Sequence, residues 1–411
     1  MQQDCSDLTA QAVCDLSENK PVERALDALI LGASANSLSA ARSLGRAGLH
    51  VVLAETAMDA ALKSSRYVKD FLHFDEDDDA AIASRLLRLP ATPDKPFLLA
   101  TGDRYALLIA RYQDQLAERY CFVSPSYALL DAIIDKAKLY ENARRNGFLC
   151  PAFHIVRERK DIDAAVANVP TPCYIKPALG HQWRRVKNTK LERANTEAEP
   201  RRILENFLAL GLIAIPQEII PGKDSDVISL SAYIDRSGDC RGYRTKRKLR
   251  QLPLDAGNGS AQEICSQPEV AEIGLRILAM TGHRGPATVE FRRDERSGCF
   301  VLIEINARTI LAQEMITRSG LDVPLIAYCD AKGKPMPTPT SATAVRWIDL
   351  QSDLRAFRQL RRRGQITTWQ WIESIASCRA PAYFALSDPL PFLVRTWMWL
   401  SSIVSSRRPV P

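Results

Sequence analysis

The sequence predicts an α/β protein: a doubly wound parallel sheet near the N-terminus, then lobes of mixed α+β character. Three observations carry this expectation. First, the apolar run Ala28–Leu31 closes on Gly32, a helical stretch follows from Ser37 to Ala47, and a second apolar run spans Val51–Glu55. That strand–glycine–helix–strand order is the unit of doubly wound sheets. Second, Pro96–Ala100 is a further short apolar run with a turn, Thr101-Gly102-Asp103, at its end. Third, Ala287–Arg308 reads as two antiparallel strands around a polar turn, Asp294–Gly298, with residue types alternating along both.

Composition sets the bounds. A chain of 411 residues has room for two to four domains, and 46% hydrophobic with 25% charged residues is ordinary for a globular protein. The net charge of +7 suits anionic substrates such as nucleotides, but at this length it falls short of a nucleic-acid footprint. Ten cysteines are scattered without a C-x-x-C spacing, which disfavours zinc and a disulfide framework and fits reduced thiols in a cytoplasm. The polar, acidic opening has no apolar segment of the secretory kind, and no run of about 20 apolar residues exists to span a bilayer.

In chain order, residues 1–25 read as a loose leader and 26–125 as the first α/β domain. Its turn Gly32–Ser37 lacks the three-glycine dinucleotide fingerprint; it is either a tight strand-to-helix turn or an anion seat at a helix start. The acidic run Asp75–Asp79 reads as solvated loop. Asp135-Lys136 opens a helix that stops at Asn146-Gly147. Cys173–Pro177 is an apolar strand with Lys176 where it ends, either an exposed strand end or a phosphate-binding charge. The basic loop Ala178–Lys190 either closes over phosphates or lies on the surface. Gln217–Gly222 enters a Pro-Gly turn, with Asp224 and Asp226 beyond. Val227–Ile234 alternates as a strand, and in Tyr243–Leu252 alternation sets Lys246, Lys248 and Arg250 on one face.

Folding the later hairpin about Ser297 puts Glu290 across from Glu304. Facing carboxylates roughly 5 Å apart at Cβ repel, so they share a proton, bind a cation or face water. Asn306 adds an amide oxygen on that face and Arg308 a cation. Such a set suits Mg²⁺, which one or two carboxylates hold while phosphates and waters fill the shell. Beyond Asp330, Leu354–Arg363 is a basic helical stretch, and Ser387–Pro391 punctuates the chain before a last helix. Leu393, Trp397, Leu400 and Val404 share one stripe of that helix. Residues 392–404 are too few to span a bilayer; they pack on the protein's own body or a partner, or lie in a membrane interface.

Together these pieces resemble the ATP-grasp superfamily, in particular its carboxylate–amine ligases and carbamoyl-phosphate-synthase-like members. The matching motifs are Asp135-Lys136, Tyr174–Pro177, Gln217–Gly222, Gly285–Phe291, Glu304–Arg308 and Gly320–Pro324, over about residues 26–335. The resemblance implies a two-lobed ATP-grasp fold, its first lobe over 126–205 and its second over 206–335, with a C-terminal helical extension over 336–411. It implies that Lys136 and Lys176 bind ATP phosphates, that Glu218, Ile219 and Ile220 hold the adenine, and that Asp226 or Asp224 touches the ribose. Glu290, Glu304 and Asn306 would hold Mg²⁺, or Mn²⁺ in its place. Arg308, with Lys248 or Arg250, would steady the transferring phosphate and acyl group. Two departures stand out: the loop after Lys176 is not the family's glycine-rich lid, and Ala307 replaces a common proline. The implied activity is ATP-dependent amide formation between a small carboxylate and an amine, by a cytoplasmic enzyme. Alternatives are a phosphotransferase or carboxylase of the same superfamily, or a non-catalytic nucleotide-binding scaffold. Partners consistent with the sequence are the two substrates, a second copy of the chain, and a membrane surface touched through 388–408; no nucleic acid is expected.

Overall fold

The computed structural model describes residues 26–90, 92–180, 183 and 189–405. The expected leader, most of the 178–190 loop, and Arg407-Arg408 lie outside the described residues. Within the rest, the backbone forms three sheets.

The first is parallel, in the order β3-β2-β1-β4, from β1 (Ala28–Leu31), β2 (Val51–Glu55), β3 (Val68–His73) and β4 (Phe97–Ala100). Its inner strands are continuous apolar runs because helices cover both faces. Beyond β1, Gly32 has φ +119°, and an added Cβ would sit 2.3 Å from Thr101 Oγ1. The turn after β1 is thus pressed against the turn after β4, and only glycine fits there. The acidic run is not all loop: Asp78 caps the helix Asp79–Arg88 by accepting from Ala81 N.

The second sheet is small and antiparallel, β6-β5-β7, from β5 (Cys173–Pro177), β6 (Glu192–Ala194) and β7 (Ala214–Glu218). The third has the order β12-β11-β8-β9-β10-β13-β14. Its strands are β8 (Val227–Ile234), β9 (Cys240–Leu252), β10 (Asn258–Cys265), β11 (Gly285–Arg293), β12 (Phe300–Asn306), β13 (Arg346–Ile348) and β14 (Ala380–Pro381). The last two add short strands to the helical extension expected after residue 336. β13 pairs with β10 and β14 with β13, so the C-terminal segment completes the large sheet.

The buried side chains divide into four clusters. One joins β1 and β2 to Met315, Tyr328, Trp347 and Tyr383, binding the first domain to the large sheet's lobe and to the C-terminal segment. A second joins the helix Lys136–Arg145 to the inner face of β8, β11 and β12. A third lies within the first domain. The fourth, from Val156 to Ala214, belongs to the small three-stranded lobe alone and includes Trp183 stacked on Phe207 at 4.2 Å. The last helix (Leu390–Ser405) is tied down by Phe392, which meets Phe384 edge-on, and by Arg395 lying 3.9 Å over the Tyr383 ring. Just before it, Asp388 accepts from Arg42 Nε at 2.9 Å and Ser65 Oγ at 2.7 Å. Leu393, Trp397, Met398 and Leu400 point outward.

Candidate active site

A cavity of about 530 Å³ opens where the three sheets converge. It is walled by the carboxyl ends of β1, β2 and β4, by β5 and β7, and by the faces of β9, β11 and β12. Crevices outside the carboxyl ends of a parallel sheet are where open α/β folds bind ligands.

The acids come from the hairpin. Glu290 pairs in register with Glu304, and Thr288 with Asn306. A bulge follows at once: Phe291 opposes Leu302, and Ile303 has no partner across the ladder. Strict alternation along the second strand therefore fails below Glu304, and Ile303 joins Glu304 on the cavity wall. The facing pair depends on this bulge: on the turn side Phe291 meets Leu302 and Arg293 meets Phe300, a register that without the extra residue would set Glu290 against Ile303. Asn306 Nδ2 donates to Glu304 Oε1 at 3.1 Å, and its Oδ1 accepts from Arg308 Nη2 at 3.0 Å. Burial alone would favour a protonated Glu304. Lys190, Lys136, Lys248 and the Asn306 amide outweigh it and hold the carboxyl far below the usual carboxylate range.

The cations surround these acids. Lys248 Nζ lies 2.9 Å from Glu290 Oε1. Lys246, nearly buried, donates to Gln262 Oε1 at 2.9 Å, and desolvation pulls it down to about 8. Lys176, from β5, is pulled down to about 7, first by burial and then by Lys136. Lys136 stands at the first turn of a helix whose N-cap, Asp135, accepts from Ala137 N at 2.8 Å. Lys136 N donates to Ala178 O at 3.0 Å, which fixes this helix start to the end of β5. Arg308 reaches the first domain, donating from Nε to Asp103 Oδ1 at 2.7 Å. Burial opposes ionisation of Asp103, and Arg308 overrides it.

Three expected residues lie elsewhere. Arg250 does not share the face of Lys246 and Lys248. Leu249 is an extra residue in β9, since Lys248 pairs with Gln262 and Arg250 with Ala261. One inserted residue exchanges the two faces of a strand, so Gln251 lines the cavity and Arg250 points away. There Arg250 forms a two-pronged pair with Asp353, 2.9 and 2.8 Å, and donates to Ser374 Oγ. Asp226 is also withdrawn: its carboxylate accepts from Lys223 N at 2.6 Å and caps the turn Asp224–Asp226. Ile219 does not line the cavity, whereas Glu218 and Ile220 on either side of it do. Glu218 is held by Arg296 at 2.6 Å and by Ala152 N at 3.2 Å.

Conversely, the sequence reading gave no role to Glu55, Tyr105 or Gln251, all of which line the cavity. Glu55 is the polar residue ending an otherwise apolar strand, the one signal that marked it. The two carboxylates and one amide suit Mg²⁺, because Glu304 stays ionised among cations and phosphates complete such a shell. Among the described residues no group of three or more His, Cys, Asp or Glu gathers into a metal cage.

No family model matches the chain. A D-aspartate ligase from Enterococcus faecium (strain Aus0004) is 26% identical over 311 residues, 72% of this chain and 74% of that protein. An L-amino acid ligase from Bacillus licheniformis superposes with a TM-score of 0.55 at 14% identity, over 78% of this chain and 76% of its own. The biotin carboxylase domain of 2-oxoglutarate carboxylase from Hydrogenobacter thermophilus gives 0.58 at 16% identity, over 78% and 72%; that structure contains MgADP, ADP and bicarbonate. The parallel sheet, the small antiparallel lobe, the large sheet with its facing acids and these likenesses agree on the fold: the chain is similar to ATP-grasp carboxylate–amine ligases.

Proposed function

We propose that this enzyme activates a small carboxylic acid with ATP and joins it to an amine, releasing ADP and phosphate. The observation that supports this best is that Glu290, Glu304, Asn306, Lys248, Arg308, Lys136 and Lys176 all line one cavity. A carboxylate is a poor electrophile. Its oxygen attacks the γ-phosphorus of ATP, the bond to ADP breaks, and an acyl phosphate forms. The amine nitrogen then attacks the acyl carbon, phosphate leaves, and the nitrogen gives up a proton.

Phosphoryl transfer needs positioning and charge neutralisation more than covalent help. Lys136 and Lys176 are assigned to the phosphates, Ile220 and the Glu218 backbone to the adenine, and Arg308 with Lys248 to the acyl-phosphate oxygens. Glu290, Glu304 and Asn306 would hold Mg²⁺, which when bound neutralises charge on the phosphate oxygens. Lys248 pairs with Glu290 here, so its ammonium already supplies a positive charge beside that carboxylate.

The relative's name makes D-aspartate the first acid to test. We further place the enzyme in the cytoplasm, with its last helix packed on the protein's own body and its outward face open to a partner or a lipid surface; no helix among the described residues is long and apolar enough to cross a membrane. The deciding assay measures ADP release from purified enzyme with ATP and Mg²⁺ across a matrix of acids and amines. Release that requires both an acid and an amine is the expected result; nucleotide binding without turnover for any pair removes the ligase reading.

A further inference from the structure

Six carboxylates line the cavity: Glu55, Asp103, Glu218, Asp255, Glu290 and Glu304. Four are paired with a cation, namely Asp103 with Arg308, Glu218 with Arg296, Asp255 with Arg363 and Glu290 with Lys248. Glu304 lies in the field of Lys190, Lys136 and Lys248. Glu55 is different. Among the described residues it makes no ion pair, and its donors are all neutral: Thr56 N at 2.8 Å, Thr56 Oγ1 at 3.1 Å and the Tyr105 hydroxyl. All three meet the same oxygen, Oε1.

The buried ring of Tyr105 fixes this carboxylate at the end of β2, in the crevice beside the turns after β1 and β4. The lysines gather around the acids of the two lobes, while at the first-domain end Arg308 and Arg104 are already paired with aspartates and Glu55 is left, among the described residues, without a cation of its own. A primary amine reaches a ligase as an ammonium ion at neutral pH. We propose that Glu55, oriented by Tyr105, is the receptor for the cationic amine co-substrate. The first domain thus selects the amine, while the two lobes hold ATP and the activated acid. This assignment rests on the ligase reading above and deepens it.

The test uses two nucleophiles. Hydroxylamine is mostly uncharged at pH 7.5 and converts an acyl phosphate to a hydroxamate without needing an ammonium receptor. Wild-type enzyme, Glu55→Gln and Tyr105→Phe are given ATP, Mg²⁺ and a panel of D- and L-amino acids and dicarboxylic acids. Hydroxamate is read with hydroxylamine, and ADP release with amino acids or ammonium chloride as amine. Expected for Glu55→Gln is a fall of roughly 10- to 100-fold in kcat/KM for the amine, carried by KM, as for the loss of one charged hydrogen bond. Hydroxamate formation should keep its rate, and Tyr105→Phe should show the same split with a smaller loss. Equal loss with both nucleophiles, or no loss with either, overturns the assignment. Absence of hydroxamate from the wild type with every acid would instead refute acyl-phosphate chemistry itself, a separate failure.

Discussion

Replacing Arg250 by methionine separates a site residue from a structural one. The Arg250 and Asp353 side chains are 7% and 0% exposed, and Asp353 also accepts from Ser260 Oγ and Trp371 Nε1, both at 2.9 Å. Removing one partner of a buried pair costs about 3–5 kcal/mol, because the other charge stays buried. Two remaining donors soften that loss for Asp353, which favours the lower end, ~3 kcal/mol. Across 411 residues, ~2.1 cal/mol/K each gives an unfolding entropy of roughly 0.9 kcal/mol/K. The Tm should therefore fall by roughly 3–4 °C if the chain melts cooperatively. Below the transition, nucleotide affinity and turnover should match the wild type. Differential scanning calorimetry and the ADP assay at 20 °C measure the two sides. A variant with unchanged Tm and abolished turnover would show that Arg250 serves the reaction and would refute the placement derived from the Leu249 bulge.

Other outcomes follow from the same geometry. Glu304→Ala should abolish ATP turnover while leaving the circular dichroism spectrum and thermal midpoint close to wild type; full turnover in the folded variant would remove the metal assignment. Burial and Lys136 pull Lys176 down to about 7, and phosphate anions should raise it, so ATP binding should take up protons and weaken as pH rises from 7 to 9. Isothermal titration calorimetry in buffers of differing ionisation heat checks this, and the uptake should shrink in Lys176→Met. For stability the sign is opposite, since a lysine depressed in the folded state penalises folding most below pH 7 and progressively less toward its unfolded value. The outward face of the last helix should sediment with anionic liposomes, and Leu393→Ser with Trp397→Ser should reduce that; equal sedimentation excludes the membrane contact.

Much of the architecture was readable because buried parallel strands are uninterrupted apolar runs. Ala28–Leu31 and Val51–Glu55 matched their strands to the residue. The edge strand β3, Val68-Lys-Asp-Phe-Leu-His, went unread because only its inner positions are buried and its polar residues mimic a loop. β13 and β14 escaped for another reason: three and two residues are too short to show a period. At the site, a fold about Ser297 paired the acids correctly, but the hairpin reaches that register only because the bulge at Ile303 offsets a turn centred half a residue earlier. Arg250 was misplaced because a bulge is set by how β9 meets β10, and neither strand's own pattern records it. Glu55 gained its role only in three dimensions, through a tyrosine fifty residues away.

The partition of the core has a mechanical corollary. The first domain, the large sheet and the C-terminal segment share one apolar cluster, so they behave as a single rigid body. The three-stranded lobe has its own core around Trp183 and Phe207 and meets the large sheet through Phe153, Ala178 and Ile215 of the second cluster. Lys176 belongs to the small lobe and the acids to the large sheet, so any shift of one against the other would change the distance between them.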